Sequence, residues 1–452
     1  MEPSERDLVA MIDVAPLRPR YWATFGLIVT VLMCELFDFF VVGYIVSAVA
    51  PQWHLTFGQT TVMLLSAGVG AMAGAVAFGW IADRFGRKLV VLASTVLCCA
   101  CAGSIAFVPD GAWLIFAGLR FLVGMGYGGA GASQFAIIAE YTPTARRTLL
   151  TSSLGIPAGF GLVLAASVVT GLFPVLGWRG TAALGYAPIL LVILLAFVAP
   201  ESARWLISRG RWAEARRAAA SMLYLPDAAP APAAATPAPV VAEEPRDPAR
   251  RFWLVVLVQL GLGITLSGVQ LWGPTILAQL FEITPAKAAG YFVAVSISGV
   301  VGRICFTLLP ARIGRVPSGL IVGYAGTACL VLAALLHSQW IGAWPLFFVF
   351  LMVGQFFYDG GFSNVTTYAA ELFPVRLGAR AMGLSAASGG AGKLIGPLAL
   401  GLLAGANNFV TPKATQAAVT PAFLFLAGGC LVVALAYTLL GVETHKRALA
   451  LA

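Results

Sequence analysis

Long apolar stretches recur along the whole chain, and their length constrains the fold more than any other feature. A helix needs about 20 apolar residues to cross the hydrocarbon core of a bilayer. The 452-residue sequence has a mean hydropathy of +0.89 and only 10% charged residues, so most of it has lipid as its solvent. Because backbone polar groups in lipid must be bonded within their own segment, helices are favoured. The sequence predicts an all-α membrane protein with twelve transmembrane helices, at 21–49, 58–80, 89–108, 112–140, 149–173, 178–199, 252–280, 287–309, 317–337, 343–370, 379–405 and 421–441.

Basic residues lie unevenly on the two sides of these spans. If both termini are cytoplasmic, 22 of the 28 Lys and Arg residues fall on the cytoplasmic side, three on the opposite side and three within spans. Positive charge concentrates in the cytoplasmic loops of membrane proteins. We therefore expect both termini in the cytoplasm and the chain in the inner membrane of a bacterium. The formal net charge of +9 then indicates orientation, and we expect no nucleic-acid partner.

One long hydrophilic segment divides the sequence into two halves. Residues 1–200 hold six predicted spans and residues 252–452 hold the other six. Between them, residues 201–251 begin with a basic amphipathic stretch, expected to lie on the inner membrane surface, and end in a Pro/Ala-rich linker. This division predicts two six-helix bundles.

The two halves also repeat short motifs at equivalent places. GWIADRFGRK at 79–88 follows the second span, and ARIGRV at 311–316 follows the eighth. EYTPTARR at 140–147 follows the fourth span, and ELFPVR at 371–376 follows the tenth. Such repetition indicates duplication of a six-helix unit, so we expect the two bundles to be pseudo-symmetric.

Three motifs carry a resemblance to a known family. GWIADRFGRK is similar to the loop signature Gly-x-x-x-Asp-Arg-x-Gly-Arg-Lys of the major facilitator superfamily, with every named position present. RFLVGMGYGG at 120–129 is similar to the arginine-and-glycine motif of that superfamily's fourth helix. PESARWL at 200–206 resembles the PESPRWL stretch of its sugar and organic-acid porters. The resemblance implies a monomeric secondary transporter without cofactor or enzymatic activity, in which two bundles rock around a midplane site.

The resemblance also implies a cytoplasmic gate, built from the repeated loop motifs. The alternative is that these charges only set the orientation of the helices. The residues assigned to this gate are Gly79, Asp83, Arg84, Gly86, Arg87, Lys88, Glu140, Arg147, Glu371 and Arg376.

Six ionisable residues lie inside predicted spans, and two of them, Glu35 and Asp38, are acids on the first helix. Each such residue costs about 2.5–3.5 kcal/mol on insertion scales unless it pairs or meets water. With a rise of about 1.5 Å per residue, Arg120 on the fourth helix lies at the same height as both acids. We therefore expect a carboxylate–arginine group across the first and fourth helices, with Asp38 as proton carrier and Glu35 as its structural partner. A permanent ion pair that only joins these helices is the alternative.

In the second half, Asp359 and Lys393 fall near the middle of the membrane. Either they pair in the empty state, or Lys393 binds an anionic substrate while Asp359 takes the proton. Arg303, near the inner end of its helix, is expected to reach for the membrane surface. Neutral polar groups on central helices complete the expected lining: Gln134, Gln270, Gln355, Tyr358 and Asn364.

These residues favour proton-coupled symport of a small organic anion. The antiporter motif of the fifth helix is not met by GIPAGFG at 155–161, which favours symport over antiport. ELFDFFVVG at 35–43 resembles the acid-x-x-Asp-Phe pattern of proton-coupled metabolite, sialate and aromatic-acid symporters. A carboxylate is the expected substrate. A sugar or polyol porter, suggested by PESARWL, and a membrane sensor that transports nothing are the alternatives. All seven cysteines lie in apolar runs, so no metal site is expected.

Overall fold

The computed structural model describes residues 5–225, 247–373 and 375–444. Helices form almost all of the regular structure of these residues, and two short strands pair antiparallel in one loop. The predicted all-α class is confirmed. The helices are α1 Glu5–Val14, α2 Pro19–Gln52, α3 Phe57–Phe85, α4 Arg87–Ser104, α5 Trp113–Tyr141, α6 Thr144–Ser153, α7 Gly155–Ala183, α8 Ile189–Val198, α9 Ala203–Ser208, α10 Trp212–Met222, α11 Pro248–Leu280, α12 Pro285–Leu308, α13 Pro310–Ile313, α14 Arg315–Leu335, α15 Leu346–Leu372, α16 Val375–Leu403 and α17 Pro412–Leu440; the strands are β1 Trp340–Ile341 and β2 Trp344–Pro345.

Ten helical segments of the described chain are long and apolar enough to cross a membrane. One of them, Gly159–Val198, has 40 residues, about twice the length that a span needs. Gly177 breaks it with a φ of 63° and a ψ of −173°, between the fifth and sixth predicted spans. The segment Ala387–Leu403 is the described part of the eleventh span within α16. With these two assignments the structure agrees with the twelve predicted helices.

Glycines let neighbouring helices meet backbone to backbone. A Cβ atom at Gly124 of α5 would lie 1.9 Å from the carbonyl oxygen of Ala67 on α3. A Cβ at Gly74 of α3 would lie 2.1 Å from the carbonyl oxygen of Met125 on α5. In the second half, Gly302 of α12 meets Phe356 of α15 in the same way, at 2.0 Å. Small residues at membrane helix interfaces permit this close approach, as the glycine clusters of the sequence predict.

Three helix pairs make most of the contact between the first half, α2–α8, and the second half, α11–α17, and α2 also touches α12. Helix α2 packs on α11, α3 packs on α16, and α7 packs on α12. At the α2–α11 crossing, a Cβ atom at Gly43 would lie 2.9 Å from the carbonyl oxygen of Leu271, so the two backbones nearly touch.

At the end of the bundle opposite the N-terminus, two loops from different halves are hydrogen-bonded through their main chains. We call this contact the latch, and it consists of residues 55–58 and 406–410. The amide of Phe57 donates to the carbonyl of Asn408 at 2.8 Å, and the amide of Gly58 donates to that of Ala406 at 2.9 Å. The amide of Val410 donates back to Leu55 at 3.1 Å. The latch therefore closes this end of the bundle.

Two amphipathic segments lie on the other end. In α9 and α10 the apolar side chains of Leu206, Ile207 and Met222 are buried against the bundle. The amide of Arg18 donates to the carbonyl of Met222 at 2.9 Å, which ties the chain after α1 to the end of α10. The predicted amphipathic stretch is therefore a helix pair, and the rest of the predicted linker, 226–246, lies outside the described residues.

Candidate functional site

The three charged residues predicted to meet in the first half do come together. Glu35 and Asp38 on α2 and Arg120 on α5 are each no more than 2% exposed. Their close approach depends on the glycine-rich contacts of α5, because α5 carries Arg120 one turn before Gly124. The estimate of equal height along the two helices is consistent with this arrangement.

The contacts of Arg120 differ from the expected ion pair. Its Nη1 donates to the main-chain carbonyl of Asp38 at 2.7 Å, and its Nη2 donates to that of Phe39 at 2.8 Å. No ion pair joins Arg120 to either carboxylate among the described residues. Sequence spacing gives the height of a side chain along its helix. It does not show whether an arginine there bonds a carboxylate or a main-chain carbonyl oxygen. Arg120 therefore holds α2 through its backbone and donates no hydrogen bond to either carboxylate.

Glu35 is a well-bonded acid. Its Oε1 accepts a hydrogen bond from Thr95 of α4 at 2.8 Å, and the amide of Gln134 on α5 donates to both carboxylate oxygens at 3.1 Å. Gln134, predicted as part of a substrate lining, is thus committed to Glu35. Thr95 was not singled out from the sequence, because a lone threonine in an apolar helix carries no distinguishing signal.

Asp38 lies in a different environment, although only three residues away. Its Oδ2 is buried and has no hydrogen-bond partner among the described residues. The neighbouring cation, Arg120, spends its two hydrogen bonds on main-chain oxygens. A buried carboxylate with a free oxygen accepts a proton without breaking an ion pair, which is the property that a proton carrier needs.

In the second half, Asp359 of α15 pairs with Arg303 of α12. The Nη2 of Arg303 lies 2.6 Å from Oδ1 of Asp359, and its Nε lies 3.0 Å from the same oxygen. Asp359 is fully buried. The expected pairing of Asp359 with Lys393 is therefore wrong for this state, as is the expectation that Arg303 reaches for the surface. A guanidinium of fixed forked geometry is the better partner for a buried carboxylate. Gly299, on the facing helix α12, leaves room for the carboxylate of Asp359.

Lys393 of α16 is half-buried and makes no ion pair or hydrogen bond with the residues that the structure describes. Arg303 lies close enough for its charge to act on Lys393. The charge of Arg303 also acts on Tyr127 of α5, and so does that of Glu35. The ring of Tyr127 packs on that of Phe39 with 5.2 Å between centroids. Tyr127 is thus within reach of charges from both halves, which the sequence did not reveal.

The remaining predicted lining residues divide into two groups. Gln270, Gln355 and Tyr358 are buried, and each has a side-chain polar atom without a partner in the described chain. Asn364 donates to the carbonyl of Arg315 at 3.2 Å and to the hydroxyl of Tyr437 at 3.3 Å, whereas its Oδ1 has no partner in the described chain. No cluster of three or more potential metal ligands occurs among the described residues.

The loop motif predicted as a gate is organised by an acid that sequence reasoning missed. Oε1 of Glu201, in PESARWL, accepts from the amides of Arg87 at 2.9 Å and Lys88 at 3.0 Å, and so caps the start of α4. Gly86 has a φ of +107°, and a Cβ atom there would lie 2.3 Å from Glu201 Oε2. Glu443 repeats this arrangement in the second half, capping α14 through the amides of Arg315 and Val316 beside Gly314. The only sequence signal for this pair of caps is the alignment of PES at 200–202 with VET at 442–444.

Half of the predicted gate residues belong to this network. Arg87 Nη1 lies 3.4 Å from Glu140 Oε1, and Arg147 pairs with Asp13 of α1. Lys88 Nζ donates to the carbonyl of Ala196 at 2.6 Å. These contacts all lie within residues 13–201. The other predicted gate residues lie outside this network. Gly79 has open space around it, Arg84 stacks on Trp80 and Phe85, and the carbonyl of Asp83 accepts from Arg209. The side chains of Glu371 and Arg376 lie outside the described residues.

Comparison with known proteins gives a family match over almost the whole chain. Residues 24–451 match the family model described as "Sugar (and other) transporter". A 4-hydroxybenzoate transporter of Pseudomonas aeruginosa, PcaK, is 32% identical over 209 residues, which is 46% of either chain, so the match spans about half of that relative. The niacin transporter NiaP of Acinetobacter baylyi is 25% identical over 405 residues, covering 87% of this chain and 89% of that one.

The fold also resembles solved structures. The inward-open xylose transporter XylE from E. coli superposes with a TM-score of 0.70 at 18% identity, covering 94% of this chain and 98% of that one. At this identity the likeness concerns the fold alone.

Proposed function

The chain belongs to the Sugar (and other) transporter family, and we propose that it is a proton-coupled symporter of a small aromatic carboxylate. It is an integral, multi-pass membrane protein and a transporter rather than an enzyme. The finer parts of the proposal are the substrate, the coupling ion, a monomeric state, and an inner-membrane location with cytoplasmic termini.

The observation that carries the proposal is the cation Lys393, which has no partner among the described residues while its neighbour Arg303 is already paired. A lone cation within a membrane span is costly, and an anion that reaches it restores the balance. The relatives support an anionic substrate, because 4-hydroxybenzoate and niacin are both small aromatic carboxylates. The ring of Tyr127, close to Arg303, is available to pack on such a substrate.

Asp38 supplies the coupling. Its free Oδ2 takes a proton from the side to which the site is open, and the neutral acid is less costly to move through the closed state. Arg120 stays bonded to the main chain throughout, so protonation does not require its release. Glu35, held by Thr95 and Gln134, joins α2, α4 and α5.

The test is uptake into liposomes that contain the purified full chain. Labelled 4-hydroxybenzoate and nicotinate should accumulate when the proton gradient is directed inward, and a protonophore should abolish the accumulation. Accumulation that ignores the gradient would contradict proton coupling. Binding of neutral sugars alone would support the sugar-porter alternative, and the absence of counterflow for every solute would support a sensor.

A further inference from the structure

A groove on the cytoplasmic end, between α3 and the α9–α10 pair, has no role in the transport cycle described above. It has a volume of about 360 Å³, and its lining includes Phe85, Trp205, Arg211 and Arg217. Two carboxylates, Glu201 and Glu214, also line it. Oε1 of Glu201 is held by the amides that start α4, which fixes the position of this carboxylate at the edge of the groove.

The helix pair beside this groove is basic, although the groove lining itself has two arginines and two glutamates. Between Ala203 and Met222 the sequence has five arginines and one acid, Glu214. Arg211 bonds Glu214 through Nε at 2.8 Å and through Nη2 at 2.6 Å, and this hydrogen bonding holds the pKa of Glu214 below its ordinary value. Arg217 uses only its Nε, toward the carbonyl of Ala213 at 3.2 Å. The outer nitrogens of Arg217 make no hydrogen bond within the described chain.

Apolar surface lies directly beside these guanidinium groups. Phe85 is 53% exposed at the end of the α3 span, and Leu89 is 50% exposed at the start of the next span. Trp80, one turn earlier, is 63% exposed, and Arg84 lies over the rings of Trp80 and Phe85. Aromatic rings with neighbouring basic groups are typical of the headgroup level of a membrane. The groove thus joins a surface suited to acyl chains with one suited to phosphate.

We propose that this groove binds the headgroup of an anionic phospholipid from the inner leaflet. The phosphate meets Arg217 and Arg211, since guanidinium groups bind phosphate through paired hydrogen bonds, and the acyl chains lie over Phe85 and Leu89. Glu214 competes for Arg211, so Arg217 contributes more of the binding. A bound lipid would hold the α9–α10 pair against the end of α3, where Trp205 and Arg209 already bond the carbonyl of Asp83.

The experiment measures lipid binding to the detergent-purified full chain by native mass spectrometry, with phosphatidylglycerol and phosphatidylcholine as probes. Arg217→Gln and Arg211→Gln should each weaken phosphatidylglycerol binding, Arg217→Gln by about fivefold, as expected for one basic residue at a charged membrane surface. Arg216→Gln is the matched control, because Arg216 is the exposed neighbour on the same helix and does not line the groove. Its binding should stay unchanged.

Three results would overturn the proposal. One is equal retention of the two lipids by the unchanged protein. Another is an equal loss in Arg216→Gln and Arg217→Gln, which would indicate general surface charge. The third is displacement of the lipid by millimolar inorganic phosphate alone, which would indicate a site for free phosphate. Thermal unfolding of each variant in lipid-free detergent shows whether it is folded, and brominated phosphatidylglycerol, which quenches nearby tryptophans, locates the lipid beside Trp205 independently.

Discussion

Two acids three residues apart on one helix have opposite environments. Glu35 receives hydrogen bonds from two neighbouring helices, whereas Asp38 has a carboxylate oxygen without any partner in the described chain. The difference arises because α4 and α5 place hydrogen-bond donors beside Glu35 and none beside Oδ2 of Asp38. At the scale of single residues, burial alone therefore does not identify a proton carrier, and the bonding of each oxygen does.

Replacement of the two acids by their amides separates these roles. Asp38→Asn removes the proton acceptor while preserving size, so we expect gradient-driven accumulation to be lost and counterflow exchange to persist. Glu35→Gln replaces an acceptor that Thr95 and Gln134 both address, so we expect a loss of stability of about 1–3 kcal/mol, measured by thermal unfolding. Equal loss of accumulation and exchange in both variants would contradict the assignment.

Lys393 is expected to determine affinity for the anion. Lys393→Gln removes a charge-assisted contact worth about 1.5–3 kcal/mol, so the apparent KM for a carboxylate should rise by about ten- to a hundredfold. Lys413→Gln, at the start of α17 and outside the predicted site, is the control and should leave KM unchanged. An unchanged KM in Lys393→Gln would remove the observation on which the substrate proposal depends.

At the scale of helices, glycine decides which pairs meet closely. The four-residue spacing of Gly70 and Gly74 on α3 and of Gly124 and Gly128 on α5 brings carbonyl oxygens of one helix against the Cα atoms of the other. Arg120 is carried on the same helix, so its reach to the backbone of α2 depends on this packing.

Two alanine substitutions on α5 test this packing. Gly124→Ala places a Cβ 1.9 Å from the carbonyl oxygen of Ala67, so the helices must separate, at a cost of about 1–3 kcal/mol. Gly131→Ala meets nothing within 4 Å and improves helix propensity, so it should be neutral or stabilising. Thermal unfolding in detergent gives both values, and similar values for the two variants would show that the contact is unimportant.

The sequence allowed prediction of the helix number, the break near Gly177, the glycine contacts and the group around Glu35, Asp38 and Arg120. These follow from segment length and from rise per residue, which are properties of one helix at a time. The partners of Arg303 and Arg120 were predicted wrongly, because they depend on the rotation of helices about their axes. Glu201 caps α4 because the chain comes back to the start of that helix after the rest of the first half. No local sequence pattern encodes a contact between residues so far apart.

At the scale of the whole molecule, the two halves meet mainly along three helix pairs and are closed at one end by the latch. The ring of Phe57 also lies 5.6 Å from that of Trp272, which belongs to the other half. Exchange between two accessible states requires the latch to open, since it consists of bonds between the halves.

A reversible cross-link tests this requirement. Thr56 and Phe409 are bridge partners, and such partners lie at a Cα separation that suits a disulfide. In the variant with Thr56→Cys and Phe409→Cys, oxidation should stop uptake and a reductant should restore it. Each single-cysteine variant under the same oxidant is the control. Continued uptake by fully cross-linked protein would contradict a gating role for the latch.

Because the latch is made of amide and carbonyl groups, almost any side chain can occupy its two loops without weakening it. Substitutions during evolution would therefore be tolerated at most positions of the latch. The exceptions are Gly58, which must stay small, and the positions whose amides donate hydrogen bonds. Comparison of aligned sequences would overlook such a gate. Proline scanning would reveal it, because proline is accepted at the first position of a helix, here Phe57, yet removes the N–H group.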